Sequence, residues 1–367
     1  MLNRRSIVLS LLAAGACNDA ASPSARELRV DVLARGLNAP WSLAFVSPQD
    51  ILITEKFAGV RRFAGGALTA VPGGPANILA QGDSGLLDVA LDPQFATNRF
   101  VYLSFTEGDV ARNRMAIFRG RYGDGAIEDG QVIFRVGIDK EGDGHSGGRM
   151  LFLPDETLLI TSGEGRTLPQ EAQNLGSHLG KTLRLTRDGA PAPDNPFIGR
   201  EGALPEIYTY GHRNVLGMVL DPRDNSVWQA EMGPRGGDEI NRIVAGGNYG
   251  WPIATFGTDY DGRMISPDQE APGVESPVVV FSPSISPSGL AVYAGDAFPD
   301  WQGDFLTGSL SAQHLRRVRI RDSMAVLEEV LLRDRQARIR DVRVGPDGLI
   351  YALTDSDDGE LLRLQPA

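Results

Sequence analysis

Six times along the chain one short theme recurs: a glycine or other small residue, a strand of alternating apolar residues, a turn carrying Pro, Asp or Gly, then a second strand. The copies are Trp41–Phe45 with Ile51–Glu55, Gly85–Pro93 with Phe100–Phe105, Gly147–Phe152 with Leu158–Ser162, Leu216–Pro222 with Ser226–Glu231, Ser288–Tyr293 with Asp304–Gly308, and Ile339–Gly348 with Leu349–Thr354. Further strands follow several pairs, at Met115–Arg121, Lys181–Leu185, His314–Ile320 and Glu360–Leu364. Alternation at period two is the mark of a half-buried strand, and no segment keeps an apolar i, i+3, i+4, i+7 face over three turns. Four strands to a unit and six units predict an all-β fold, a six-bladed β-propeller of four-stranded antiparallel blades spanning residues 26–367. A two-sheet sandwich is the alternative, but it does not demand six similar units. The strand Leu28–Leu33 has no partner in the first unit. It is expected to complete the sixth blade, closing the ring and removing two free sheet edges. The 44 glycines and 23 prolines are spread along the chain, as many short strands joined by turns require.

The N-terminus reads differently. Met1–Arg5 is positively charged, Ile7–Ala14 is apolar but too short to span a bilayer, and a Ser/Pro/Ala linker runs to Ala25. Residues 1–25 therefore read as an export signal and linker. Arg4-Arg5, followed by Ser6-Ile7-Val8-Leu9, has the look of a twin-arginine signal, used for proteins exported already folded and often with a cofactor. Ala14-Gly15-Ala16-Cys17 resembles a bacterial lipoprotein cleavage box; ordinary cleavage beyond Cys17 is the other reading. An exported, periplasmic protein is expected, with membrane contact only through a lipid on Cys17. That residue is the only cysteine, so the propeller has no internal disulfide and no cysteine chemistry. A net charge of −11 without any basic run argues against a nucleic-acid partner.

In a propeller the start of each blade's innermost strand lies around one mouth of the central channel, so a site collects at the residues just before each first strand. Those positions hold Gln81 and Asp83, His145, Arg213 and Asn214, Ser284, and Arg338 and Arg340. Few are apolar. Guanidinium groups converging on one mouth point to an anionic ligand, because their planar forks match carboxylates. His145 stands in the glycine run Gly142–Gly148, before one strand of a hairpin, and Glu164 follows the other strand within Gly163-Glu164-Gly165. The two should emerge at the same edge. An imidazole held by a carboxylate is a general-base arrangement; glycines serving turns around a solvated histidine is the competing reading.

Two more motifs are dense in chemistry-bearing residues. In Tyr208–Gly217, His212 reads as a buried structural histidine rather than a catalytic one, whereas Arg213 and Asn214 are better placed to face a ligand. Glu231–Asn241, running into Gly246–Pro252, sets glycines and a proline beside acids. Its carbonyls could meet a hard cation such as Ca²⁺, though it lacks the regular acidic spacing of an EF-hand and alone reads as a tight turn.

His145-Ser146-Gly147-Gly148-Arg149, Tyr210-Gly211-His212-Arg213-Asn214, Glu231-Met232-Gly233-Pro234 with Gly237–Asn241, Asn248-Tyr249-Gly250-Trp251-Pro252 and Arg338–Val342 occur in that order. In this the chain resembles the soluble pyrroloquinoline-quinone (PQQ) dependent aldose sugar dehydrogenases of the glucose/sorbosone dehydrogenase family, from about Arg35 to the C-terminus. The resemblance implies a six-bladed propeller that oxidises an aldose to a lactone and passes electrons to an acceptor the sequence does not identify. It implies that His145 takes the proton of the anomeric hydroxyl while hydride passes to the quinone C5. Glu164 stands where the family has an acid paired to that histidine, usually an aspartate. Gln81, Arg213, Asn214, Ser284, Arg338 and Arg340 would contact PQQ, with Arg213 also stabilising the reduced quinone oxygens. The carbonyls of Gly233 and Pro234 would hold Ca²⁺. The three carboxylates of PQQ account for the gathered arginines. Two departures stand out. A lysine of the glucose-specific branch is absent after Ser309-Leu310, which is followed by Ser311-Ala312-Gln313-His314, and Phe281 lies near a tryptophan of the relatives. A calcium-dependent lactone or ester hydrolase and a non-catalytic binding propeller are the alternatives on the same scaffold.

Overall fold

The computed structural model describes residues 28–367; the expected export signal and linker, with Arg4, Arg5 and Cys17, lie outside the described residues. Six four-stranded antiparallel sheets follow one another. Blade 1 is Pro40–Ser47, Asp50–Glu55, Gly59–Ala64 and Ala67–Val71, and blade 2 is Leu86–Leu91, Phe100–Gly108, Asn113–Gly123 and Ala126–Arg135. Blade 3 is Met150–Phe152, Leu158–Ser162, Lys181–Leu185 and Ile207–Tyr210, and blade 4 is Val215–Leu220, Val227–Glu231, Asp238–Ile243 and Val279–Phe281. Blade 5 is Pro287–Val292, Phe305–Ser309, His314–Arg321 and Met324–Leu331. Blade 6 takes Ile339–Val344, Ile350–Thr354 and Gly359–Pro366 from the end of the chain and its fourth strand, Leu28–Leu37, from the beginning. That strand pairs antiparallel with Gly359–Pro366, Leu28 opposite Pro366, so the ring closes as expected. Among the described residues the only α-helical segment is Phe95–Asn98.

The ring is held by apolar layers between blades. Leu52, Val60 and Val71 of blade 1 cluster with Leu86, Val89 and Phe105 of blade 2, and equivalent clusters lie at the other junctions. A blade buries one face on the blade before it and the other on the blade after, so no blade closes its core alone. Innermost strands of successive blades pack on one another, and this close approach needs small residues. A Cβ at Gly289 would lie 2.2 Å from Asp341 Oδ1 in the neighbouring blade.

A charged cluster joins innermost strands across the axis. Arg149 of the segment entering blade 3 is fully buried, its Nη1 3.3 Å from Asp88 Oδ1 of blade 2 and 3.2 Å from Asp341 Oδ1 of blade 6. Its Nε donates to the Leu216 carbonyl of blade 4, and its guanidinium lies 4.2 Å over the Trp41 ring of blade 1. Four of the six blades thus meet on one arginine. Five innermost strands break register near their start, between Pro40 and Ser42, Leu86 and Val89, Val215 and Gly217, Pro287 and Leu290, and Ile339 and Asp341. Bulges of this kind bend a strand and re-aim side chains, and all five are at the end where the site collects.

Candidate active site

A cavity of about 300 Å³ opens at that end, lined by Trp41, Asp83, His145, Arg213, Asn214, Ser286, Arg338 and Arg340 among others, so that every blade or the segment leading into it contributes. His145 enters on a loop forced tightly over the turn after the second strand of blade 3. Gly147 sits at φ 68°, and a Cβ there would lie 2.7 Å from the Thr161 carbonyl; a Cβ at Gly163 would lie 2.3 Å from the His145 carbonyl. Only glycines allow the two turns to approach this far. His145 itself is left-handed at φ 46°, a region a non-glycine residue keeps only when its surroundings dictate it. The surroundings do so: Ser146 Oγ accepts from Thr106 Oγ1 and lies 3.2 Å from Ser84 Oγ, and the Gly147 amide donates to Asn214 Oδ1 at 3.1 Å.

His145 Nδ1 is 2.6 Å from Glu164 Oε1, and both residues are buried. The side chain longer than the expected aspartate therefore reaches. A carboxylate only accepts, so Nδ1 carries the proton and the lone pair is left on Nε2. Burial pushes the imidazole below its ordinary pKa and nearby Arg213 adds to the shift, against the opposing pull of Glu164. The ring is therefore neutral at neutral pH, the state a base needs. The Glu164 amide donates to the Arg213 carbonyl at 2.9 Å, which locks the blade 3 turn to the segment entering blade 4.

Arg213 is buried between the rings of Trp251 and Tyr260, 5.3 and 5.8 Å from their centroids. Its Nη1 donates to the carbonyls of Met232 and Gly233 at 3.0 and 3.1 Å, and its buried Nε has no partner among the described residues. Arg338 and Arg340 share one carboxylate: Arg338 Nε and Nη2 and Arg340 Nη2 all donate to Asp355 Oδ2, at 2.9, 2.7 and 2.9 Å. Burial alone would raise the Asp355 carboxyl, yet Arg340, Arg338 and Lys56 outweigh it and hold the group well below the usual carboxylate range. Arg340 Nε is also buried without a partner among the described residues. Arg213 and Arg340 both line the cavity, so an anion bound there would meet their guanidinium groups.

A second cavity, about 390 Å³, adjoins the first and shares Arg166, Arg213 and Tyr260 with it. Its walls include Glu164, Pro234, Trp251 and Asp259.

The structure brings together His145, Glu164, Arg213, Asn214, Arg338 and Arg340. It does not bring Ser284 to the cavity wall: that hydroxyl donates to Asp238 Oδ2 at 2.7 Å, and Ser286, two residues on, lines the cavity instead. Gln81 is exposed beside Asp143, and Asp83 takes the lining position from the same segment. Gly233 presents its carbonyl to Arg213, and Pro234 lines the second cavity. Among the described residues no group of three or more His, Cys, Asp or Glu is placed to hold a metal ion. His212 is the buried structural residue expected, with Nε2 2.8 Å from Thr209 Oγ1 and Nδ1 3.0 Å from Glu231 Oε2. Phe281 is buried in the core between blades 4 and 5 and lines neither cavity. Asp355, Trp41, Tyr260 and Arg166 were not legible as site residues from spacing. For Asp355 a signal existed: Glu164 follows the second strand of blade 3, Glu231 ends that of blade 4, and Asp355 follows that of blade 6.

The glucose/sorbosone dehydrogenase family profile matches residues 37–363. The aldose sugar dehydrogenase YliI of Escherichia coli K12 is 40% identical over 346 residues, which cover 92% of this chain and 93% of that protein. The solved structure of the soluble aldose sugar dehydrogenase from Escherichia coli in its apo form superposes with a TM-score of 0.89 at 39% identity, covering 93% of this chain and 100% of that one. The PQQ-bound form of the aldose sugar dehydrogenase from Streptomyces coelicolor superposes with a TM-score of 0.75 at 30% identity, covering 93% and 99%.

Proposed function

The chain belongs to the glucose/sorbosone dehydrogenase family, and from that premise we propose that it oxidises aldoses at the anomeric carbon to lactones with PQQ as cofactor. The observation that carries this reading is a neutral, buried imidazole bonded only through Nδ1 among the described residues, in a cavity whose lining includes four arginines. His145 Nε2 takes the proton of the anomeric hydroxyl, and the adjacent Glu164 carboxylate stabilises the imidazolium that results. When bound, PQQ supplies the two-electron acceptor for the hydride that leaves the same carbon, so that the C–OH becomes the lactone C=O. The residues present fit a tricarboxylate: Arg213, Arg338 and Arg340 all line one cavity. Arg213, common to both cavities, is placed to stabilise negative charge that develops between them. Asn214 orients the loop that carries the base through its bond to the Gly147 amide.

Ca²⁺ is proposed at the carbonyls of Gly233 and Pro234. Two carbonyls fall well short of the roughly six to eight oxygens this ion takes, so water and the bound cofactor must provide the rest. Arg213 already uses the Gly233 carbonyl, and the ion would compete for it. Tight Ca²⁺ binding is therefore expected only in the presence of PQQ. The export signal read in residues 1–25 would place the reaction in the periplasm, which fractionation of cells carrying the full chain tests.

Calorimetric titration of the cofactor-free protein with PQQ and Ca²⁺, followed by a sugar panel with an artificial dye as acceptor, tests the whole reading. Stoichiometric PQQ binding and dye reduction dependent on aldose are expected. Lactone hydrolysis without quinone would instead favour the hydrolase, and absence of PQQ binding would favour a binding module.

A further inference from the structure

Four arginines line the two cavities, and for three of them the protein supplies partners. Arg338 and Arg340 are paired with Asp355, and Arg213 is tied to the carbonyls of Met232 and Gly233. Arg166 is exposed and has neither a hydrogen bond nor an ion pair with another described residue. It lies on the wall common to both cavities. Its backbone is left-handed at φ 69°, directly after Gly165 at φ 78°. Its stem lies on the backbone beside the base: a Cβ built at Gly144, next to His145, would meet Arg166 Cδ at 2.8 Å. An unpaired cation kept in an unfavourable conformation at a cavity mouth is the kind of residue a ligand engages.

The two carboxylates that line the second cavity with it are already engaged, and Asp83 lines only the first. Glu164 holds His145, while Asp259 accepts from the Tyr260 amide at 2.7 Å and lies 3.9 Å from Arg263. The second cavity is also lined by Trp251 and Tyr260, whose aromatic rings suit the C–H face of a sugar. His145 does not line it, so it offers room for the part of an aldose remote from its anomeric carbon.

We propose, resting on the sugar-oxidising reading above, that Arg166 is a specificity residue for aldoses carrying an anionic group remote from the anomeric carbon. The reacting carbon faces His145 in the first cavity, and the anionic end meets the guanidinium at the entrance to the second. A uronic acid and a sugar phosphate share this chemistry, since a guanidinium fork accepts either anion.

The test compares glucuronate and glucose 6-phosphate with glucose in the PQQ- and Ca²⁺-loaded enzyme, for the wild type, Arg166→Gln and Arg166→Lys. At least one anionic sugar should be preferred over glucose. The glutamine variant should lower the anionic-to-neutral ratio of kcat/KM roughly tenfold, through KM rather than kcat, and the lysine variant should restore part of it. Whichever anion loses more identifies the group recognised. Calorimetry of glucuronate and glucose 6-phosphate on cofactor-free protein provides a readout without turnover, and binding of the preferred anion should weaken in Arg166→Gln. No preference for either anion, or a ratio unchanged in Arg166→Gln, overturns the proposal. Weaker PQQ binding in that variant with the sugar ratio unchanged would assign Arg166 to the cofactor instead. Absence of any aldose turnover in the wild type would count against the parent reading, and the cofactor-free titration would still decide the role of Arg166.

Discussion

Blades 3 and 4 each contain a histidine bonded through Nδ1 to a glutamate 19 residues further on, His145 with Glu164 at 2.6 Å and His212 with Glu231 at 3.0 Å. Both histidines precede an innermost strand, and both glutamates stand at the end of the next strand or just after it. The chemistry of the two pairs differs at the far nitrogen. His212 Nε2 is engaged by Thr209 Oγ1, and its ring stacks on Tyr249 at 4.7 Å, inside the molecule. His145 is free at Nε2, lines the cavity, and is held in a left-handed backbone by glycine turns. One pair of groups can thus be a structural joint or a base, depending on whether the second nitrogen is spent. Glu231 strengthens the joint by also accepting from the Arg213 amide, so the structural pair helps to fix the arginine of the reactive one.

Breaking each pair should separate the two roles. His145→Asn, which tolerates left-handed backbone, should lower PQQ-dependent aldose oxidation on the order of 10²–10⁴-fold. Its melting temperature should stay close to that of the wild type. Dye reduction within tenfold of the wild type would remove His145 from the chemistry. His212→Ala should reverse the pattern. It leaves Glu231 buried beside an emptied site and should destabilise the fold by about 2–4 kcal/mol, read as a lower midpoint in urea. Turnover per folded molecule should remain near that of the wild type, and a catalytic loss matching that of His145→Asn would erase the distinction drawn here.

Glu164→Gln keeps an acceptor for Nδ1 but removes the charge that stabilises the imidazolium, with an expected loss in kcat of about tenfold. The smallest effect is on pH dependence. The base must be unprotonated, and its pKa lies below the ordinary value of 6.5. Thus kcat/KM should rise with pH along an acid limb centred below that value and be flat above it. Glu164 raises the imidazole pKa, so Glu164→Gln should move the limb to still lower pH. A limb above 6.5, or one that moves upward in the variant, would contradict the environment described for His145.

Much of this was legible because β-structure announces itself locally. Alternating strands, turn residues and a sixfold repeat predicted the ring, and the unpartnered strand at Leu28 predicted its closure, because a free edge needs a partner. The positions before each first strand located the mouth, and His145, Arg213, Asn214, Arg338 and Arg340 all line it. Spacing was less reliable where the innermost strands break register. Near the bulge between Pro287 and Leu290, Ser284 turns to Asp238 and Ser286 faces the cavity. Asp238, on the third strand of blade 4, accepts from the Ser284 hydroxyl and from the Ile285 and Ser286 amides, and nothing in the alternation records that contact.

The sequence by itself determined how many blades form, where the ring closes and which residues come to one mouth, because period, turn chemistry and repeat are properties of short segments. Only the tertiary structure decided which histidine keeps a free nitrogen, that Asp355 gathers Arg338 and Arg340, and that Arg166 is left without a partner among the described residues. Those outcomes depend on which side chains folding brings within about 3 Å, whether from the same blade, as Asp355 with Arg338 and Arg340, or from the one before, as Thr209 with His212.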